Sequence, residues 1–262
     1  MLRFFRSIRQ RLLTDNKFSK YLLYALGEIA LVMIGILLAL QVNNWNEERK
    51  QRQVEIKYFG NLKNDLQADI TRLDYMIEVA HKKVDASRNV KRKTDRDSTG
   101  SLYNFSNDLL LLFFVDEFRP NDNTYNEMKS SGNFSTLRND ELKLKLMNLR
   151  KSYIEIEALQ EHMRYDFNVF LEDFEKYVDW GRYFILPKSN VPKLEFAYDS
   201  IYIESHIDGM EKEIRELFKS KVFLNNIFLL EINYTYDIDL LQKTKTQIHE
   251  IIDILELEQR IK

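Results

Sequence analysis

The chain has 262 residues, no cysteine, seven glycines, three prolines, 31% charged residues and a formal charge of −2. Disulfides and thiolate metal sites are excluded, and so few turn formers among abundant Leu, Ile, Phe and Tyr point to long helices rather than a sheet sandwich. Residues 1–20 carry +5 and Glu28 contributes −1, which leaves −6 for residues 46–262, an acidic exterior that argues against nucleic-acid binding.

In residues 1–20, Leu2, Phe4, Phe5, Ile8, Leu12 and Leu13 fall on one side of a helical wheel, with Arg3, Arg6, Arg9 and Arg11 mostly on the other. A basic amphipathic segment of this kind suits an anionic membrane surface. Tyr21 to Val42 is then apolar apart from Glu28. A span needs about 20 apolar residues, so Ile29 to Leu40 is too short alone and Glu28 is carried into the membrane. Arginines crowd the near flank while the far flank, Asn43 to Lys50, is mixed, which predicts a cytoplasmic N-terminus and a periplasmic remainder in the inner membrane of a bacterium. Trp45 stands where an aromatic marks the outer interface. A cleaved signal peptide shares the charge pattern, but the apolar run is too long for it. No small-x-small site follows Ala39-Leu40-Gln41, and an uncleaved anchor is predicted.

Residues 43–95 read as a stalk or first bundle helix continuing from the span, and residues 96–262 as a periplasmic bundle. From Asn46 to Val90 nothing breaks a helix more strongly than Gly60. Phe59, Leu62, Leu66, Ile70, Leu73, Ile77, Ala80 and Val84 are spaced 3-4-4-3-4-3-4, the heptad spacing of a coiled coil with one four-residue stutter. The helix is predicted to end in the polar stretch Lys91 to Gly100. Leu109 to Val115 is too short to cross a bilayer and reads as a short buried helix, with a membrane-dipping segment as the other option. Pro120 to Asn123 and Ser131 to Asn133 bracket a helix over Thr124 to Ser130, and Asn139 or Asp140 caps the next one.

That helix carries Leu142, Leu146, Leu149, Tyr153, Ile156, Met163, Phe167, Phe170, Phe174 and Tyr177, a stripe interrupted by Gln160, and should run for about ten turns. Pro187 and Pro192 mark a loop. Glu195 to Ile207 reads as irregular or weakly extended, with Ile201, Tyr202 and Ile203 leaning to β. From Met210 the helical period returns and predicts a third long helix to near the end, bent around Asn225-Asn226 or Asn233. The fold class is all-α: an N-terminal transmembrane helix continuing into a long-helix antiparallel bundle.

The stretches Asn16-Lys17-Phe18-Ser19-Lys20-Tyr21-Leu22-Leu23-Tyr24-Ala25, Gly27-Glu28-Ile29 and Gly35 to Asn46 resemble the N-terminal signature of a Bacteroidota family of single-pass inner-membrane proteins of unknown function. Thr124 to Glu127 followed by Lys129 to Asn133 resembles a second signature of that family. The resemblance implies an envelope protein of that phylum and transfers no activity. It also gives meaning to Asp97-Ser98-Thr99 and Asp199-Ser200-Ile201, which fit the O-glycosylation pattern of that phylum at Ser98 and Ser200, both in predicted loops.

No phosphate-binding glycine loop, dinucleotide fingerprint, nucleophile elbow or His-Glu-x-x-His is present, so no enzyme, metal or cofactor is predicted. Glu78 and His81 have the spacing of a di-iron pair, but that site needs a second pair and two further carboxylates. His162 and Asp166 stand i,i+4, as an exposed pair or an acid/base dyad. Phe113, Phe114, Tyr165, Phe167, Phe170, Phe174, Tyr177, Trp180, Tyr183 and Phe184 fill a core or line a cleft, with core packing the default. Glu28 is the chemically unusual residue, since a carboxylate inside a span costs about 2.5 to 3.5 kcal/mol on insertion scales. Either it protonates or snorkels near the cytoplasmic end, or it forms an intramembrane interaction face with Gly35 and Ala39.

The expected function is a membrane-anchored periplasmic interaction or scaffold protein whose partners are the bilayer and other envelope proteins or a copy of itself. A proton-motive-force-coupled subunit using Glu28 and a ligand-sensing bundle are the alternatives.

Overall fold

The computed structural model describes residues 18–95, 102–113, 115–179 and 200–260. Among them are six helices and no strand: α1 (Phe18–Asp95), α2 (Leu102–Phe113), α3 (Asn123–Ser130), α4 (Asp140–Phe174), α5 (Ser200–Leu217) and α6 (Lys221–Arg260). The chain divides into two compact units, residues 1–57 and residues 58–262. In the first, α1 carries the apolar run, and its most hydrophobic window has none of its residues buried.

In the second unit, residues 59–90 of α1, α4 and α6 form the long members of the bundle. α6 runs antiparallel to α1, as the pairs Lys63–Glu256 (2.7 Å), Asp74–Lys245 (2.5 Å) and Arg88–Glu231 (2.7 Å) show. It is also antiparallel to α4, through Asn139–Glu258 (2.9 Å), Ser152–Gln247 (2.9 Å) and Asn233–Asp166 (2.9 Å). Two apolar clusters fill the interior. One joins Phe59 to Met76 with Leu142 to Ile156 and Leu240 to Leu255. The other joins Ala80 to Val90 with α2, Met163 to Phe174 and the stretch Met210 to Ile238. Leu109 to Leu112 are all buried, Leu109, Leu111 and Leu112 in this second cluster, which makes α2 a core helix.

The buried seam of α1 differs from the stuttered stripe. Phe59, Leu62, Leu66, Asp69, Leu73, Met76, Ala80, Lys83, Ser87 and Val90 are all buried, at an unbroken 3/4 spacing. Asp69 occupies the position assigned to Ile70, and Met76 that assigned to Ile77; both isoleucines are only partly buried. The stutter reflects a carboxylate, Asp69, at a core position whose apolar neighbour Ile70 fits the hydrophobic pattern. Polar groups can sit in such a seam when they are hydrogen-bonded.

Helix ends follow local chemistry. α3 starts after Asp122, whose side chain makes no cap; Asp65 of α1 instead accepts the Thr124 amide at 3.1 Å. Gly132, at φ +80°, reverses the chain after α3 in a conformation that costs a side-chain-bearing residue strain. Asn139 caps α4 by accepting the Leu142 amide at 2.9 Å.

Two expectations near the C-terminus are corrected. Residues 200–207 are helical rather than extended. Ile203, Ile207, Met210, Ile214 and Leu217 repeat at 4-3-4-3, and that helical period prevails over the small β preference of Ile and Tyr. The third long helix is not one bent rod, since α5 ends at Leu217 and α6 begins at Lys221. Ser220 causes the break: its Oγ accepts the Phe223 amide at 3.2 Å as a new N-cap and donates to Asp173 at 2.6 Å. Asn225, Asn226 and Asn233 all lie within α6. Glu195 to Asp199 and the Pro187–Pro192 loop fall outside the described residues.

Candidate functional site

Glu28, Gly35 and Ala39 lie on one face of α1, seven and four residues apart, and all three are exposed. A Cβ added at Gly35 would meet nothing within 4 Å. The face combines a carboxylate with small residues that permit close approach of another helix. Arg3, Arg6, Arg9, Arg11 and Ser98 fall outside the described residues. Ser200 is the first residue of α5, not part of a loop.

In the bundle, several buried polar groups fall outside the sequence-based candidates. Asp69, 2% exposed, accepts the Tyr153 hydroxyl at 2.6 Å and the Asn121 amide at 2.8 Å. Burial raises its carboxyl above the ordinary range despite both donors, and burial together with the Asp69 charge drives the Tyr153 phenol far upward. These bonds belong to a wider strap. The non-helical stretch from Val115 to Asp122 is held by Arg72 on the Glu117 carbonyl (3.1 Å), Gln160 on the Phe118 amide (2.9 Å) and Arg150 on Asp122 (2.8 Å).

A second polar layer lies near the junction of the two apolar clusters. Lys83, 2% exposed, donates to the Tyr234 hydroxyl at 3.1 Å, with its ammonium 4.7 Å from that ring's centroid. Asp237 lies one turn along α6 and is also buried. Burial lowers Lys83 to about 8, against the charges of Asp116 and Asp237. It lifts Asp237 to about 6, against the Gln160 amide and the Lys83 charge. The Gln160 amide favours the Asp237 carboxylate, yet neither Gln160 Nε2 nor Asp237 Oδ1 completes a well-formed hydrogen bond. Between pH 6 and 8 the layer therefore holds opposite charges in an apolar setting.

The remaining motifs resolve into packing and surface pairs. Glu78 accepts Lys82 at 2.6 Å, and His81 is exposed beside it. His162 lies 3.4 Å from Asp166, which also accepts Asn233 at 2.9 Å, so the pair sits at a helix contact. Phe113 packs on Phe170 and Phe174 at centroid distances of 5.3 and 4.9 Å, in the core. Tyr165 departs from that core expectation at 67% exposed. Phe114, Trp180, Tyr183 and Phe184 lie outside the described residues. A polar cleft of about 520 Å³ opens between the strap and α4. Two of its arginines are already committed, Arg150 to Asp122 and Arg164 to Glu117.

No curated protein and no solved structure matches the chain. A family model described as a family of unknown function, DUF6090, matches residues 28–169, from Glu28 of the apolar run through the strap to most of α4. That match covers more than half of the 262 residues, and the chain belongs to DUF6090.

Proposed function

We propose that the chain is a single-pass inner-membrane protein of a Bacteroidota-type bacterium. Its helical bundle works in the periplasm as an interaction or scaffold module without catalysis, and residues 1–20 remain cytoplasmic. The observation that carries this reading is the nakedness of the apolar run. Large side chains from Leu22 to Val42 are more than half exposed, while the bundle fills its own core with other residues. A helix so apolar and so uncovered needs a hydrocarbon environment, and its length suits a bilayer. Arginines on the near flank favour a cytoplasmic N-terminus.

The face formed by Glu28, Gly35 and Ala39 is the intramembrane contact for envelope proteins of the same bilayer. Glu28 supplies the polar group that selects a partner, and Gly35 lets the partner approach. The test is crosslinking in native membranes with wild-type, Gly35→Leu and Glu28→Gln chains, using an unrelated single-span protein as control. Recovery of membrane proteins with the wild type, and their loss with Gly35→Leu, supports the reading. Recovery no greater than the control overturns it. If Glu28→Gln keeps every crosslink but abolishes a proton-dependent envelope process, the coupling alternative replaces the scaffold.

A further inference from the structure

The outer face of α6 changes character along its length. From Val222 to Tyr236 it presents Val222, Leu224, Phe228, Leu229, Ile232 and Tyr236, all 37% to 58% exposed. On a helical wheel these positions form one continuous arc opposite the buried stripe of Phe223, Ile227, Leu230 and Tyr234. Beyond Tyr236 the same outer face carries Asp239, Lys243, Thr246, Glu250 and Asp253, as a solvated surface should. The apolar arc therefore does not follow from the bundle's need for a core, which the opposite stripe supplies.

At the same level α4 presents two further exposed apolar side chains. The Asn233–Asp166 and Ser220–Asp173 hydrogen bonds fix the antiparallel register of the two helices, which sets Tyr165 and Val169 level with the apolar half of α6. Tyr165 is 67% exposed and Val169 39%. The six α6 side chains alone leave roughly 500 Å² uncovered, at the upper end of the largest apolar patch on ordinary monomers. Two such patches brought together would bury on the order of 1,000 Å², the size at which specific interfaces begin.

The charge pattern suits a second copy. In a two-fold pair each patch meets its own copy, so a patch bearing one sign of charge would repel itself. Within this arc the only charged residue is Lys221, at its end. Glu231, at the margin, is taken by Arg88 at 2.7 Å. We propose that the apolar half of α6, with the adjoining part of α4, is the docking face for a second copy of this chain. The interface is separate from the Glu28 face of the span and stands without it.

The absence of cysteine makes the test direct. Full-length chains bearing only Ile232→Cys or only Thr246→Cys are treated in native membranes with a short bis-maleimide. The expected result is a species of twice the monomer mass for Ile232→Cys and none for Thr246→Cys. Full-length Ile232→Glu in detergent should be monomeric where the wild type is dimeric, with an unchanged thermal transition. Equal crosslinking at both positions, crosslinking of Ile232→Cys only to a species of another mass, or an Ile232→Glu variant that remains dimeric would each overturn the proposal. The last two outcomes leave the Glu28 reading intact.

Discussion

Lys83 and Asp237 are the most consequential buried ionisable residues of the bundle, because burial opposes the charge of each. Asp237 titrates near 6 in the folded chain, above its unfolded value, so its stabilising contribution is fully present below about pH 4 and is lost as pH rises through 6. Lys83 titrates near 8, below its unfolded value, so its contribution is present above about pH 10.5 and is lost as pH falls through 8. Each shift corresponds to about 3 kcal/mol. Relative to Asp237→Asn, the wild-type chain should gain stability by up to that amount between pH 7 and 4, measured by thermal unfolding in detergent. A constant difference over that range would contradict the assignment.

Lys83→Met should push Asp237 further up by removing a nearby positive charge, seen as an upward move of the pH at which the Asp237-dependent stability is lost. Tyr153→Phe should cost about 1–3 kcal/mol by leaving buried Asp69 short of a donor. None of these roles was legible residue by residue, since a lone Lys or Asp in a helix reads as surface. They become visible only when the 3/4 count from Phe59 is kept strictly and its polar members are accepted.

The helices themselves were largely legible. α3 and the start of α4 follow from Pro, Asn and Gly signals, and Asn139 caps α4 as the sequence suggests. The misreadings had two physical sources. A carboxylate at a core position shifted the register of α1 by one residue at Asp69/Ile70, and at Met76/Ile77 two adjacent apolar side chains left the seam residue undecided by pattern alone. The break lies at the serine cap Ser220, a weaker local signal than Asn225, Asn226 and Asn233, which lie mid-helix. Both corrections have measurable consequences. Met76→Ala should destabilise by about 2–5 kcal/mol and Ile77→Ala by clearly less; the reverse order would restore the stutter. Ser220→Ala should cost about 1 kcal/mol through the lost cap of α6 and about 1–3 kcal/mol more through the donor lost to buried Asp173.

At the scale of the molecule, the all-α architecture and a candidate membrane span were both legible, because apolar periodicity and an uninterrupted apolar run are strong signals. The faces proposed for docking were only partly so. Gly35 and Ala39 show in the sequence as small residues in a span, whereas the apolar arc of α6 needed the burial pattern to separate its outer face from its core face. The central claim is that the apolar run anchors the chain with its bundle across the membrane from residues 1–20. The cysteine-free sequence permits a single decisive measurement, labelling of Gln10→Cys and Lys243→Cys chains with a membrane-impermeant maleimide in intact spheroplasts. Lys243→Cys should label at once and Gln10→Cys only after lysis; the opposite pattern, or immediate labelling of both, would contradict the claim.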